Sequence, residues 1–360
     1  MVLNRDEKYI LLSFDTEEFD VPRESNVPWN TLEEGMEVSR FGTERILDIL
    51  KEKGVCATFF CTGNFAANAP MQMRRIMEEG HEVGCHGVDH WEPKATDVAE
   101  SKRIVESVLN EIDPTFLQRR PVVGYRQPRM FDVSNRDIEN AGYLYNSSLN
   151  PAFIPGRYMH LNMPRRPFYS GKVLQIPVSV TPLLRIPLFW LALHNFPEGL
   201  YRWFARRVIK SNGFFTTYFH PWEFYNLKAH PEFKTKWIMR NHSGNQLAER
   251  LGRFIDAMKA GFLHDVVEDS NVNLGELVKW GFSQEVVAVV ELLTHKKEDT
   301  YIKYIEDLCL SGNMDAIAVK ISDLKHNIAR GEAGRHTKSV KTHQEALERL
   351  ITFLGYFNIF

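Results

Sequence analysis

Cysteine is scarce in this sequence: four residues in 360, at positions 56, 61, 85 and 309, with no CxxC spacing. That excludes a disulfide-stapled scaffold or a cysteine zinc knuckle, and the thiols read as small buried apolar groups of a reducing compartment. An excess of one charge is lacking too, with 44 Lys and Arg against 46 Asp and Glu. Nothing in that balance draws the protein onto nucleic acid by its bulk field. No run approaches the roughly 18 consecutive apolar residues of a transmembrane segment. The nearest, Pro182 to Arg207, is broken by prolines and arginines. Its leucines and aromatics suit a rim that touches lipid or a lipid-linked substrate, or, more ordinarily, a loop and helix packed on the domain. The opening residues, MVLNRDEKYILLSFD, carry no positive n-region, apolar h-region or cleavage site, so a cytoplasmic protein is expected, at most peripheral at the membrane.

Present instead is an alternation of short β-rich runs with helical patterns. YILLSF, VCATFF, HEVGC, VVGYR, YLYNSS, VLQIPV and FFTTYFH predict strands, and Thr43 to Lys53 and Pro70 to Glu79 predict helices closed by Gly54 and Gly80. Such alternation gives an α/β fold, a distorted (β/α) barrel of about seven parallel strands. Near Gly261 the pattern becomes almost wholly helical, with helices expected at 275–280, 284–294, 300–310, 316–327 and 341–355. Two domains follow, a barrel over 1–260 and a small all-α segment over 261–360.

Polar residues with chemical potential fall where the predicted strands end. Asp15 and Glu17 close the first, His86 and His90 follow the third, Arg126 ends the fourth, Asn146 the fifth and His220 the last. A parallel barrel gathers all these ends on one face, where such folds build active sites. His86 and His90 have i, i+4 spacing, which on a helical turn points both imidazoles one way. With one carboxylate they make the two-histidine, one-carboxylate set of a catalytic zinc site. Asp15 and Glu17 share a side of an extended chain, so one can hold a metal while the other takes a proton from water. Glu18 reads as a solvated loop charge or a cap. Arg126 can hold the base ionised through a two-pronged hydrogen bond, and His220, followed by Pro221 and Trp222, suits a proton donor in a shaped pocket wall.

These residues resemble the polysaccharide deacetylase family, also called the NodB-homology or carbohydrate esterase 4 family. SFDTEE, ATFFCTG, GHEVGCHGVDH, YRQP and YFHPWE match its motifs in order, between residue 9 and about 225. The resemblance implies a metal-dependent hydrolase that removes N-acetyl groups from an amino sugar or glycan precursor, with a divalent ion, zinc by preference. It implies Asp15 as base, Glu17, His86 and His90 as metal ligands, Arg126 as partner of the base and His220 as acid. Tyr125, Pro128 and Trp222 are the expected substrate contacts. The order Asp-Thr-Glu-Glu leaves the carboxylate ligand open between Glu17 and Glu18. Asn146 stands where an aspartate supporting the histidine is common.

The last hundred residues carry a second resemblance, to HD phosphohydrolases of the guanosine-tetraphosphate type. His264, Asp265, Glu268, Asp269 and Asp323 match its metal and acidic positions, while the helices that should precede the His-Asp pair are not recognisable. A vestigial HD fragment is therefore expected. The alternatives are a nucleotide phosphohydrolase acting through these residues and a non-catalytic carbohydrate-binding barrel, against which the Asp15 carboxylate argues.

Overall fold

Strands buried on both faces are largely apolar, and the run FFTTYF is of that kind. In the computed structural model, which describes residues 8–24, 32–90, 97–154, 158–264, 266–296, 298–333 and 337–356, FFTTYF is buried at every position. Ten strands are described: β1 Tyr9–Thr16, β2 Thr58–Cys61, β3 Glu82–Cys85, β4 Gly124–Tyr125, β5 Tyr145–Asn146, β6 Phe153–Ile154, β7 Tyr158–Met159, β8 Phe168–Ser170, β9 Val173–Gln175 and β10 Phe214–Phe219. Eight of them form one sheet in the order β10-β1-β2-β3-β4-β5-β9-β8. Every pairing from β10 to β9 is parallel, and these seven strands coincide with the seven predicted runs.

The eighth strand, β8, joins β9 antiparallel, and β6 and β7 make a separate antiparallel pair. Segments of two or three residues are too short to show a period, so the sequence does not announce them. Beyond β9 the sheet curls toward its other edge. The Ser179 backbone N–H donates to the Thr216 carbonyl at 3.0 Å, and the Thr216 N–H donates to Ser179 Oγ at 2.9 Å. Closure is thus made by an irregular segment, and the barrel is a distorted one.

Helix Leu32–Lys53 begins eleven residues, about three turns, before the expected Thr43, because Gly35 and Gly42 are not breaks. A Cβ on Gly42 would lie 1.8 Å from the Pro221 carbonyl oxygen, so glycine lets the helix press against the turn Pro221–Phe224 that follows β10. Helices Pro70–Glu78 and Glu198–Asn212 end as glycine-closed helices do, with Gly80 at φ +84° and Gly213 at φ +83°. In the Pro182 to Arg207 stretch, Leu188, Ala192, Leu193, Tyr201 and Ala205 are buried, whereas Leu183 and Leu184 are 90% and 79% exposed.

The chain divides into two compact units, up to Leu251 and from Gly252 on. Within the second, helices Leu274–Lys279, Gln284–Leu293, Tyr301–Leu310, Met314–Ala333 and Thr337–Tyr356 enclose Leu277, Val290, Ile305, Leu308, Ile317, Leu324 and Leu350. Asn273, Ser283 and Thr300 cap three of them through side-chain oxygens, which satisfies otherwise orphaned backbone donors. Among the described residues no helix is long and apolar enough to cross a membrane.

Candidate active site

Because the seven strands run parallel, their C-terminal ends share one edge, and that edge carries the polar residues singled out above. Asp15 lies within β1 opposite Phe60 of β2, His86 follows β3, Arg126 follows β4 and His220 follows β10. All are buried, with Asp15 2%, Glu17 1%, His86 1%, His90 8%, Arg126 0% and His220 9% exposed. Buried charges need partners, and each has them.

Glu17 Oε2 lies 3.3 Å from His86 Nε2 and 3.1 Å from His90 Nε2. One ligand atom from each of these residues falls within 4.8 Å of the others, the one such group of three among the described residues. The outer nitrogens fix the tautomers. His86 Nδ1 faces the Arg126 carbonyl at 2.8 Å, so it donates, and the neutral ring turns a bare Nε2 inward. His90 Nδ1 does the same toward Asp20 Oδ1 at 3.1 Å, and Asp20 is in turn held by Arg129 Nη2 at 3.1 Å. Glu17 Oε1 accepts from Trp222 Nε1 at 3.1 Å, while its Oε2 is buried with no hydrogen-bond donor. With both imidazoles neutral, the three atoms present only lone pairs to one another, which fits a cation. Burial works against charge on His90, yet Glu17 and Asp20 outweigh it and raise its pKa to about 9. Burial likewise opposes ionisation of Glu17, but His90, His220 and His86 hold its carboxyl far below the usual range.

Two expectations about local structure are corrected. Residues 86–90 form no helical turn: the His86 N–H donates to the Cys61 carbonyl, and the Gly87 and Val88 carbonyls accept from Gly63 and Asn64. The imidazoles meet across a bent, non-helical stretch in which Gly87 takes φ +79°. Nor is Glu18 a solvated charge. At 6% exposure it accepts from the His90 backbone N–H at 3.0 Å and from Thr62 Oγ1 at 2.8 Å, tying the loop after β1 to the histidine loop. Of the two glutamates, Glu17 points at the histidines.

Arg126 Nη1 donates to Asp15 Oδ1, while its Nη2 and Nε donate to Ser147 Oγ and O at 2.9 and 3.1 Å. The contact with Asp15 is therefore single-pronged, because Ser147 takes the other donors. Phe60 and Tyr218 rings lie 4.3 and 5.0 Å from the guanidinium and shield this pair from water. Asp15 Oδ2 is 4.0 Å from His86 Nε2.

His220 leans on Trp222, ring centroids 4.9 Å apart, and its Nδ1 meets Glu223 Oε1 at 2.7 Å. Asn146 does not support it: that amide donates to Gln175 at 3.1 Å and accepts from Ser148 N–H at 3.1 Å. Burial would lower the His220 pKa, but Glu17, Glu223 and Asp15 together raise it. Trp222, 2% exposed, holds Glu17 and stacks on His220, so it orders the site from within. Tyr125 is fully buried with its hydroxyl on Gln127 Oε1 at 2.7 Å, which leaves it no surface for a substrate; Pro128 is buried at the start of the turn Pro128–Met130. Asp20 and Glu223 were missed by sequence reading, and Glu18 was weighed there only as a ligand, a loop charge or a cap. Only Glu223 carried a signal, the spacing His-x-x-Glu of a capping box, which the structure forms.

Among the described residues of the second unit no three metal-ligating atoms form a group, and the described HD-like side chains have partners of their own. His264 Nδ1 meets the Gly261 carbonyl at 2.9 Å, Glu268 accepts from the His295 backbone, and Asp323 pairs with Lys320 Nζ at 3.1 Å. Asp265 lies outside the described residues, as does the side chain of Asp269.

Comparison with known proteins agrees with the first unit. The polysaccharide deacetylase family model matches residues 3–143. The peptidoglycan-N-acetylmuramic acid deacetylase PdaA of Bacillus subtilis is 33% identical over 70 residues, 19% of this chain and 27% of that protein. The chitooligosaccharide deacetylase of Bradyrhizobium is 42% identical over 60 residues, 17% and 27% of the two chains. The chain thus spans about a quarter of the length of these relatives. Among solved structures, a carbohydrate esterase 4 family pseudoenzyme from Bacillus anthracis aligns with TM-score 0.37 and 15% identity, covering 71% of this chain and 62% of its own. Residues 3–143 carry a polysaccharide deacetylase domain.

Proposed function

We propose that the chain is a divalent-metal-dependent hydrolase that removes an N-acetyl group from an amino sugar or glycan precursor. The convergence of Glu17 Oε2, His86 Nε2 and His90 Nε2 within 4.8 Å, beside the Asp15–Arg126 pair, carries this reading. Glu17, His86 and His90 would hold the ion, zinc by its preference for two imidazoles and one carboxylate. When bound, the ion supplies a Lewis acid at the amide carbonyl and makes the attacking water more acidic. Asp15 takes the proton of that water, and Arg126 holds Asp15 aimed through its hydrogen bond to Oδ1. His220 gives a proton to the departing amine nitrogen.

The substrate class follows the named relatives, which act on N-acetylated amino-sugar glycans. We place the reaction in the cytoplasm or at its membrane surface, where the exposed Leu183 and Leu184 would meet a lipid-linked glycan. Residues 261–360 are, in this reading, a helical appendage with an HD vestige.

Metal analysis together with acetate release over N-acetylated sugars, on wild type and Asp15→Asn, tests the proposal. One ion per chain in both proteins is expected, with release slowed ~10²- to 10⁴-fold in the variant. No bound ion and no acetate from any substrate would overturn it.

A further inference from the structure

Behind His220 lie buried groups that the reaction above does not use. Glu223 and His194 are both 0% exposed. Glu223 Oε1 accepts from the His220 backbone N–H at 2.6 Å and meets His220 Nδ1 at 2.7 Å. Its Oε2 lies 2.8 Å from His194 Nε2, and His194 Nδ1 lies 2.6 Å from the Asn241 carbonyl oxygen.

Hydrogen-bond roles fix where the protons are. A carbonyl oxygen only accepts, so His194 Nδ1 is the donor to Asn241. A neutral His194 would then turn a bare Nε2 toward a carboxylate oxygen at 2.8 Å, two acceptors face to face. A proton must lie between them, on Nε2 or on Oε2. By the same rule the contact between His220 Nδ1 and Glu223 Oε1 carries a hydrogen on Nδ1. The three groups together hold one proton more than two neutral imidazoles and a free carboxylate would.

We propose that Glu223 and His194 are positioning residues for His220: Glu223 fixes its Nδ1–H and leaves Nε2 for the site, and a proton shared with His194 tempers the charge of Glu223. A bare buried carboxylate beside His220 would stabilise the imidazolium so strongly that its proton would transfer poorly. With the shared proton, Glu223 orients the ring with less of that penalty. The inference rests on the proposed reaction only where it makes His220 the acid.

The other described groups facing this cluster are aromatic rings, two carboxylates and His242. His220 is flanked by the rings of Trp190, Trp222 and Tyr218, and the carboxylates that act on it besides Glu223 are Glu17 and Asp15. His194 meets the Trp190 ring edge-on, and its backbone carbonyl accepts from His242 Nδ1 at 2.6 Å.

Ring-nitrogen NMR on the full chain with zinc added, for wild type, Glu223→Gln and His194→Gln, tests this without reference to activity. In wild type, His194 should show both nitrogens protonated or one proton shared with Glu223, and His220 a protonated Nδ1. In Glu223→Gln the amide can donate to His194 Nε2 and accept from His220 Nδ1. His194 should become neutral there, with hydrogen on Nδ1 only, while His220 keeps its Nδ1–H. Acetate release should show kcat lowered ~10-fold or more in both variants with KM unchanged. A wild-type His194 that is neutral, or unchanged in Glu223→Gln, would overturn the shared proton. Unaltered kcat in both variants of an active enzyme would overturn the positioning role while leaving the deacetylase reading intact. An inactive wild type with the expected nitrogen pattern would sink that reading and leave the proton assignment standing.

Discussion

Two regions of this chain contain the same kinds of residues and treat them differently. At the strand ends of the first unit, the outer atoms of Glu17, His86 and His90 are held by Trp222, Arg126 and Asp20, partners distant in sequence. The inner atoms are left facing one another without a donor. In the helical unit His264 and Asp323 have local partners: His264 meets Gly261 three residues back, and Asp323 pairs with Lys320 one turn away. Imidazoles and carboxylates form a site when the fold saturates their outer faces and leaves the inner ones free. Where neighbours on the same helix satisfy them, they are structure.

If Asp323 is structure, its removal should cost stability and nothing else. Lys320 is 6% exposed, with Tyr301 and Tyr304 rings 5.5 and 5.3 Å from its ammonium, and burial opposes its charge while the tyrosines and Asp323 raise its pKa. Asp323→Ala strands that ammonium and should destabilise the helical unit by about 3–5 kcal/mol. Denaturant unfolding checks this, and Lys320→Met, which removes the buried charge while filling its space, should be far milder. A smaller effect is expected from the first unit's supports. Asp20→Ala frees His90 Nδ1 and the ring's orientation, and should weaken divalent-ion affinity about 10- to 100-fold, measured by competition with a chelating dye. Affinity unchanged by that substitution would break the distinction between held and unheld outer faces.

Much of the first unit was legible because its longer strands are mostly apolar and several of its helices are followed by glycine. The seven parallel strands and the gathering of Asp15, His86, Arg126 and His220 at one edge follow from that pattern. What the sequence did not disclose depends on contacts with no local period. Glu18 looked solvated because nothing near it in sequence shows that Thr62 and the His90 backbone will reach it. The spacing of His86 and His90 suggested a helical turn, but hydrogen bonds of 86–88 with 61–64 keep the backbone out of a helix. The helix expected from Thr43 begins at Leu32, and Gly42 within it admits the Pro221 carbonyl. Asn146 and Glu223 show the same limit: the support of His220 comes from three residues along the chain and not from β5.

Calorimetric titration of the metal-stripped chain with Zn²⁺, on wild type, Glu17→Ala and His264→Ala, puts the central claim to its most direct test. One ion per chain for wild type and His264→Ala, with binding lost in Glu17→Ala, is the predicted result. Stoichiometric binding that survives Glu17→Ala, or that disappears in His264→Ala, would contradict the assignment of the metal site to the strand ends of the first unit.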